Sequence, residues 1–289
     1  TIPEGPELAA SRDSLRNILE GKRLLDVSVC LGGRYSPEDG KEPPEGYEEF
    51  SIQLKQNPAL IKEIGTKGKF MWWKFSFAHD NEPWYMWCTY GMSGQWGTSQ
   101  TKHSSFEVKY NQHGQRYFEA FGLWFNDIRH FGTLKFVRGE NRHKRKLNTL
   151  GPCVLTGAVT PEIFAEKILN KPNRTIAEAL LDQSAISGIG NYMRAEALFR
   201  AGISPWRSVT EITTDEYVTL CKSVLSVAQE SYKSQGATIS TYRNVDGAKG
   251  TTQFSFQVYS RKSCPKGHEI IKEETPEGRT SHWCKHCQK

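Results

Sequence analysis

Four residues near the end of the chain, Cys264, His268, Cys284 and Cys287, are spaced like the ligands of a closed tetrahedral metal site. They read Cys-x3-His, then fifteen intervening residues, then Cys-x2-Cys. Such a site takes four nitrogen or sulfur ligands in two close pairs, each on a tight turn. The spacing therefore predicts a structural Zn2+, with the intervening chain doubled back as a short hairpin whose tip lies near Gly278. Arg279 sits at that tip. His282 and His286 lie in the same segment and are alternative partners for the three cysteines. A metal-stapled hairpin that carries an arginine on a basic chain points to nucleic acid.

The chain has 289 residues, enough for two domains and a substantial core. No apolar run approaches the ~20 residues that a membrane-spanning helix needs, and the N-terminal segment lacks the apolar core of a secretory signal. No membrane partner and an intracellular location are expected. Cys30, Cys88, Cys153 and Cys221 are scattered, which suits a reducing compartment better than a disulfide framework. Net charge is only +6, but Arg142, His143, Lys144, Arg145 and Lys146 form one run. That run is either a solvated linker or a phosphate-binding face.

The pattern divides near residue 138. The ~15 residues after Pro6 look helical, with Leu8, Leu15, Ile18 and Leu19 on one side. Residues 23–136 read mostly as strands rich in aromatic residues, such as Phe70 to Trp73 and Trp84 to Trp87, separated by glycine turns. The stretch 36–48 reads as a surface loop. Beyond the basic run, 161–168, 175–181, 192–200 and 214–232 read as helices, the last opened by a capping box from Thr213 and Glu216. The stretch 234–252, rich in glycine, serine and threonine, is expected to be mobile. The predicted order is a β-rich domain over 1–138, a linker over 139–155, a helical domain over 156–252 and a zinc-finger hairpin over 253–289.

Two further segments carry chemistry. Ser187-Gly188-Ile189-Gly190-Asn191 is a tight turn that opens a helix. Its glycines allow close approach of a ligand, and the first amides of the helix with Asn191 suit a phosphate. The same pattern also serves as a plain connection between two helices. Pro3-Glu4-Gly5-Pro6-Glu7 places a proline and an acid near the start of the chain. A terminal amine has a pKa of about 7.7–8.0, so much of it is neutral and nucleophilic at physiological pH. A proline amine that attacks a sugar C1′ gives a cationic iminium, and a neighbouring carboxyl such as Glu4 can move protons at the sugar.

Taken with Lys67-Gly68-Lys69, Gly91-Met92-Ser93-Gly94, Asp127-Ile128-Arg129-His130-Phe131-Gly132 and Gly188-Ile189-Gly190-Asn191, these segments resemble the formamidopyrimidine-DNA glycosylase/endonuclease VIII family over nearly the whole chain. The resemblance implies an α+β fold: an N-terminal β-sandwich with a flanking helix, then a C-terminal helical domain with a helix–two-turn–helix motif and zinc finger. It makes Pro3 the nucleophile, Glu4 its proton-transfer partner and Lys69 the β-hairpin lysine beside the damaged nucleotide. Asn191 and Arg279 match phosphate-binding residues. Met92, Arg129 and Phe131 match the three residues that fill the gap left by an everted base.

The implied activity is a bifunctional DNA glycosylase and AP lyase. It would act as a monomer on damaged DNA, duplex by expectation, through a Schiff base and β,δ-elimination. His268 stands where the commoner finger has a fourth cysteine, as in certain animal endonuclease VIII-like proteins. Gln183-Ser184 lacks the lysine typical of bacterial formamidopyrimidine glycosylases. The absence of that lysine and the Pro-Glu-Gly-Pro start favour the endonuclease VIII-like branch and oxidised pyrimidines. The gap-filling set is more typical of the purine branch, so a purine-directed glycosylase remains an alternative. Thr1 and Ile2 precede Pro3, and a proline within a chain has an acylated nitrogen that cannot form an iminium. Pro3 is expected to be the natural start. Otherwise Thr1 supplies the amine, or the chain is a non-catalytic binder of damaged DNA.

Overall fold

The computed structural model describes residues 3–111, 119–239 and 241–289. It divides into two compact units. The first holds Pro3, 8–147 and 238–249; the second holds 4–7, 148–237 and 250–289. No helix among the described residues is long and apolar enough to cross a membrane.

Among the described residues, the first unit is built on eight antiparallel strands: β1 (Arg23–Val29), β2 (Ala59–Lys67), β3 (Phe70–Ser76), β4 (Trp84–Thr89), β5 (Gly94–Gly97), β6 (Ser104–Asn111), β7 (Phe121–Asp127) and β8 (Thr133–Arg138). Their hydrogen-bonded order is β5-β7-β6-β1-β2-β3-β4-β8. Alternate residues along β3, β4 and β8 point into one core, as the twofold period of a strand requires. Trp73 of β3 meets Trp96 of β5 at a centroid distance of 4.6 Å, and Phe106 of β6 meets Phe136 of β8 at 5.9 Å. These strands are far apart in the order, so the sheet folds over on itself as a sandwich. Burial of each such aromatic side chain stabilises the fold by about 3 kcal/mol.

Two helices flank this core. Helix α1 (Gly5–Leu19) buries Leu8, Leu15 and Leu19. Helix α2 (Tyr47–Gln56) lies inside the segment expected to be strands and loop, and it buries Phe50 and Leu54. Phe50 stacks on Phe136 at 4.6 Å, a tertiary contact that outweighs the weak local helix signal. The stretch expected to be mobile also differs from expectation. Tyr242 and Val245 are buried in the core of the first unit, and Asn244 accepts a hydrogen bond from Ser14 at 3.1 Å.

The basic run forms α3 (Glu140–Asn148) rather than an open linker. Only His143 of this helix is buried. Its ring stacks on Tyr85 at 3.9 Å, and its Nδ1 accepts from Trp87 Nε1 at 3.0 Å. Burial pushes the His143 pKa down to about 4, so the ring is the neutral acceptor that this bond requires. Residues 238–249, read from sequence with the helical domain, belong to the first unit.

The second unit contains α4 (Pro161–Leu169), α5 (Ile176–Leu181), α6 (Asn191–Ala201) and α7 (Thr214–Lys233), then a hairpin of β9 (Ile271–Glu274) and β10 (Thr280–Trp283). Capping boxes open α5 at Thr175–Glu178 and α7 at Thr213–Glu216. Such a cap adds about 1 kcal/mol by satisfying amides that the first turn leaves free. Helix α6 ends on Gly202 in the left-handed conformation, φ 71°.

Candidate active site and nucleic-acid interface

In the second unit, the start of α6 is occupied by the chain's own Glu4. The Glu4 side chain is buried, 1% exposed. Gly190 N and Met193 N donate to its Oε2 at 2.8 and 3.2 Å, and Tyr192 N donates to its Oε1 at 2.8 Å. The donors are amides that a helix start leaves without backbone partners. The turn that aims them is braced by Gln183. Its amide donates to Leu181 O and Ile189 O, and its Oε1 accepts from Gly188 N, all within 2.9–3.0 Å. Gly188 has φ 106°, a conformation open to glycine.

Glu7 makes a second bracket. It accepts from Glu4 N at 2.7 Å, Tyr192 Oη at 2.8 Å and Ala237 N at 2.6 Å. Burial pushes its carboxyl above the ordinary glutamate range, against these hydrogen bonds. Glu4 is thus held at both its backbone and its carboxylate. A Cβ on Gly190 would come within 2.5 Å of Glu4 Cγ and Oε1. Gly190→Ala is expected to cost about 1–3 kcal/mol through this overpacking and to turn Glu4 away from the helix start. Thermal unfolding and strand-cleavage rates check this, and unchanged cleavage would show that Glu4's position is unimportant.

The finger hairpin is tied to the same helix. Asn191 Nδ2 donates to Thr280 O at 2.8 Å, and Asn191 Oδ1 accepts from Arg194 at 2.7 Å. Arg194 is 0% exposed. It pairs with Glu277 in the hairpin loop and donates to Ala177 O at 3.1 Å. Thr275 N donates to Arg279 O at 2.9 Å, closing the loop, with Gly278 at φ 78°. Glu196, also buried, accepts from the amides of Gln257, Val258 and Tyr259 at 2.8–2.9 Å, which anchors the chain leading into the finger. Asn191 and Arg279 are therefore brought to one region of this unit.

Cys264, His268, Cys284 and Cys287 converge, with all their ligand atoms within 4.8 Å of one another. The three sulfurs lie 3.5, 3.8 and 3.5 Å from His268 Nδ1. Metal bonds of about 2.0–2.3 Å at the tetrahedral angle give nitrogen–sulfur edges of roughly 3.5 Å, so the donor set fits a metal ion. His282 is otherwise engaged, accepting from Ser260 N at 3.1 Å, and His286 stacks on His268 at 4.6 Å. The choice left open among the three histidines falls on His268.

In the first unit, Lys69 occupies the two-residue turn between β2 and β3, after Gly68 at φ 59°. Glycine at the first central position suits a tight hairpin of this kind. Met92 lies in the β4–β5 loop, and Arg129 and Phe131 lie in the β7–β8 loop. Buried Asp127 latches these two loops. Ser93 Oγ donates to its Oδ1 at 2.6 Å, Gly132 N donates to its Oδ2 at 2.7 Å, and Arg129 N donates to Ser93 Oγ at 2.8 Å. Phe131 is 54% exposed with the Arg129 guanidinium 5.8 Å from its ring centroid, although an unpaired phenylalanine is ordinarily buried. Pro3 is buried, and Thr1 and Ile2 lie outside the described residues.

Residues 2–134 match the formamidopyrimidine-DNA glycosylase N-terminal domain, and residues 150–243 match the formamidopyrimidine-DNA glycosylase H2TH domain. The formamidopyrimidine-DNA glycosylase of Bacillus licheniformis is 31% identical over 294 residues, with all of both chains covered. The chain belongs to the formamidopyrimidine-DNA glycosylase family. The relative so named from Prochlorococcus marinus is 29% identical, again with all of both chains covered. Among solved structures, the MutM (Fpg) protein of Thermus thermophilus is 28% identical, with a TM-score of 0.79 and 99% and 98% of the two chains covered. Lactococcus lactis Fpg in complex with abasic-site DNA has a TM-score of 0.81 over 99% of both chains; at 24% identity it supports the fold. As a formamidopyrimidine-DNA glycosylase family member, the protein is a DNA glycosylase that acts on damaged DNA.

Several residues that shape this family member's site carry no sequence signal of their own. Arg194 and Glu277 are 83 positions apart, and nothing local marks them as partners. Gln183 stood out for what it replaces, whereas its amide is spent on bracing the glycine turn.

Proposed function

We propose that this protein is a bifunctional glycosylase and AP lyase of the endonuclease VIII-like branch, with oxidised pyrimidines as preferred bases. The observation that carries the reading is Glu4: a carboxylate fixed by three backbone amides on the residue next to Pro3. The reaction needs Pro3 with a free secondary amine, so the active form is the chain that starts there. The Pro3 nitrogen attacks C1′ and loses its proton, the C1′–base bond breaks, and the base leaves with a proton. O4′ is then protonated, with Glu4 as the donor, and the C1′–O4′ bond opens to leave a C1′=N iminium. The resulting iminium withdraws electrons from C2′. Loss of a C2′ proton then expels the 3′-phosphate, and a second elimination expels the 5′-phosphate. Glu4 moves protons at the sugar during these steps.

The remaining residues bind and orient. Lys69 meets the phosphate beside the damaged nucleotide. Asn191 and Arg279 hold backbone phosphates, which position DNA without reading its sequence. Met92, Arg129 and Phe131 enter the stack vacated by the base, so that its return is opposed. Their latched loops and the exposed Phe131 ring fit that use. Cys264, His268, Cys284 and Cys287 hold a structural Zn2+ that stiffens the hairpin bearing Arg279. The protein works as a monomer on duplex DNA inside the cell. The first unit, which includes 238–249, supplies the catalytic β-sandwich, and the second supplies the helix–two-turn–helix motif and the finger over 253–289.

The lesion preference rests on the Pro3-Glu4-Gly5-Pro6 start and on Gln183-Ser184. A purine-directed reading has its own support in the gap-filling set and in the names of the curated relatives. Single-turnover excision from matched duplexes separates the two. Thymine glycol and dihydrouracil are expected to be released faster than 8-oxoguanine opposite cytosine. A tenfold preference for 8-oxoguanine would replace this reading with the purine-directed one.

A further inference from the structure

The face of β3, β4 and β8 opposite the aromatic core carries a cavity of about 200 Å³. Phe70, Trp87, Thr89, Thr133, Lys135 and Lys146 line it. Phe70 and Trp87 meet edge to face at 5.8 Å. Lys146 Nζ lies 5.3 Å from the Phe70 centroid, and Lys135 Nζ lies 5.8 Å from that of Trp87. Arg142 also lies over Trp87, at 5.9 Å. Glu45 pairs with Lys135 at 2.7 Å and with Arg142 at 3.3 Å; Glu140 pairs with Lys74 at 3.1 Å. Lys144 also pairs with Glu140, at 4.0 Å, so in this network the cations Lys74, Lys135, Arg142, Lys144 and Lys146 outnumber the carboxylates Glu45 and Glu140.

We propose that this cavity is a subsite for one unpaired nucleotide of the DNA substrate, its base against Trp87 and Phe70 and its phosphate at Lys135 and Lys146. The inference rests on the glycosylase reading above. Aromatic faces flanked by cations are the chemistry that binds single-stranded nucleic acid without sequence preference. The cavity is smaller than the ~300 Å³ of a typical drug-sized site, which suits a single base. The lysines that now cover the rings have long, flexible stems and can turn to a phosphate when a base takes the ring face.

Position gives the second argument. Lys69 directly precedes Phe70, Thr89 leads into the loop of Met92, and Thr133 follows the loop of Arg129 and Phe131. Phe70, Thr89 and Thr133 lie side by side in the strand register. The cavity therefore continues the sheet end that bears Lys69, Met92, Arg129 and Phe131. It also gives a use to the basic face of α3, which buries only His143.

The test compares two DNAs that carry the same abasic-site analogue, one fully paired and one with unpaired thymidines beside the lesion. The Lys135→Gln/Lys146→Gln double variant is expected to bind the unpaired DNA about tenfold more weakly than the unaltered protein, as loss of one stacked, charge-assisted nucleotide implies. Its affinity for paired DNA should stay within about twofold. A 2-aminopurine at the unpaired position should be quenched by the unaltered protein and less so by Trp87→Leu. Equal loss on both DNAs, or no loss on either, would overturn the subsite. Displacement of the unpaired DNA by polyglutamate at equal charge would point instead to an acidic peptide and also overturn it. If the unaltered protein binds neither DNA, the glycosylase reading fails, and the subsite falls with it.

Discussion

Glu4→Gln is expected to slow base release by about 10²–10⁴-fold, the usual worth of a positioned proton-transfer group. The amide side chain cannot shuttle a proton. It also turns an NH2 toward Gly190 and Met193, or toward Tyr192, where the native oxygens accept. One buried donor then meets another, with a local penalty of about 1–3 kcal/mol. Affinity for undamaged duplex should change little, because the assigned phosphate contacts are made by other residues. Single-turnover excision and binding, measured on the same preparation, separate chemistry from docking. Native excision rates in Glu4→Gln would remove Glu4 from the mechanism.

Cys284→Ser should produce the second large change. Cys284 is buried at the end of β10, directly after Trp283, and Gln288 Oε1 accepts from its backbone amide at 2.7 Å. A serine hydroxyl is a poor fourth donor in a sulfur-rich zinc site. Metal affinity and folding are coupled in small fingers, so the hairpin should lose its structure with the metal. Arg279 is then no longer presented, and DNA affinity should fall by at least about tenfold. The β-rich unit, with its separate aromatic core, should remain folded. Metal content, amide exchange in 264–287 and DNA binding together check this. Native protein purified with no bound zinc, or full DNA affinity in the metal-free variant, would contradict it.

The parts of the site legible in sequence are those whose geometry is local. Cys264 and His268, like Cys284 and Cys287, lie within one turn of each other, so spacing alone foretells convergence. Gly188-Ile189-Gly190-Asn191 is one continuous turn, and its helix begins at Asn191. The aromatic alternation of β3 and β4 likewise exposes the sheet. What stayed hidden is long-range. Helix α2 takes its place from Phe50 packing on Phe75, Trp84 and Phe136, none of them near it in the chain. Residues 238–249 look like a flexible linker by composition, yet Tyr242 and Val245 fill the core.

Buried polar brackets are the hardest class to foresee. Arg194 reads as an ordinary charged position on a helix, but its guanidinium is fully enclosed by Asn191, Ala177, Thr275 and Glu277. Asp127 sits in a recognisable motif, yet its work is to latch the Met92 loop to the Phe131 loop through Ser93 and Gly132. The burial of such groups depends on partners from distant segments, so residue type gives no warning of it.

The central claim is covalent attack by the Pro3 amine. Borohydride reduction during incubation with abasic-site DNA tests it most directly, followed by intact mass and peptide mapping. The chain that starts at Pro3 should give one stable protein–DNA adduct, mapped to the Pro3 nitrogen, and the chain that retains Thr1 and Ile2 should give none there. An adduct on Lys69 or another lysine, or no adduct from the chain that starts at Pro3, would contradict the account.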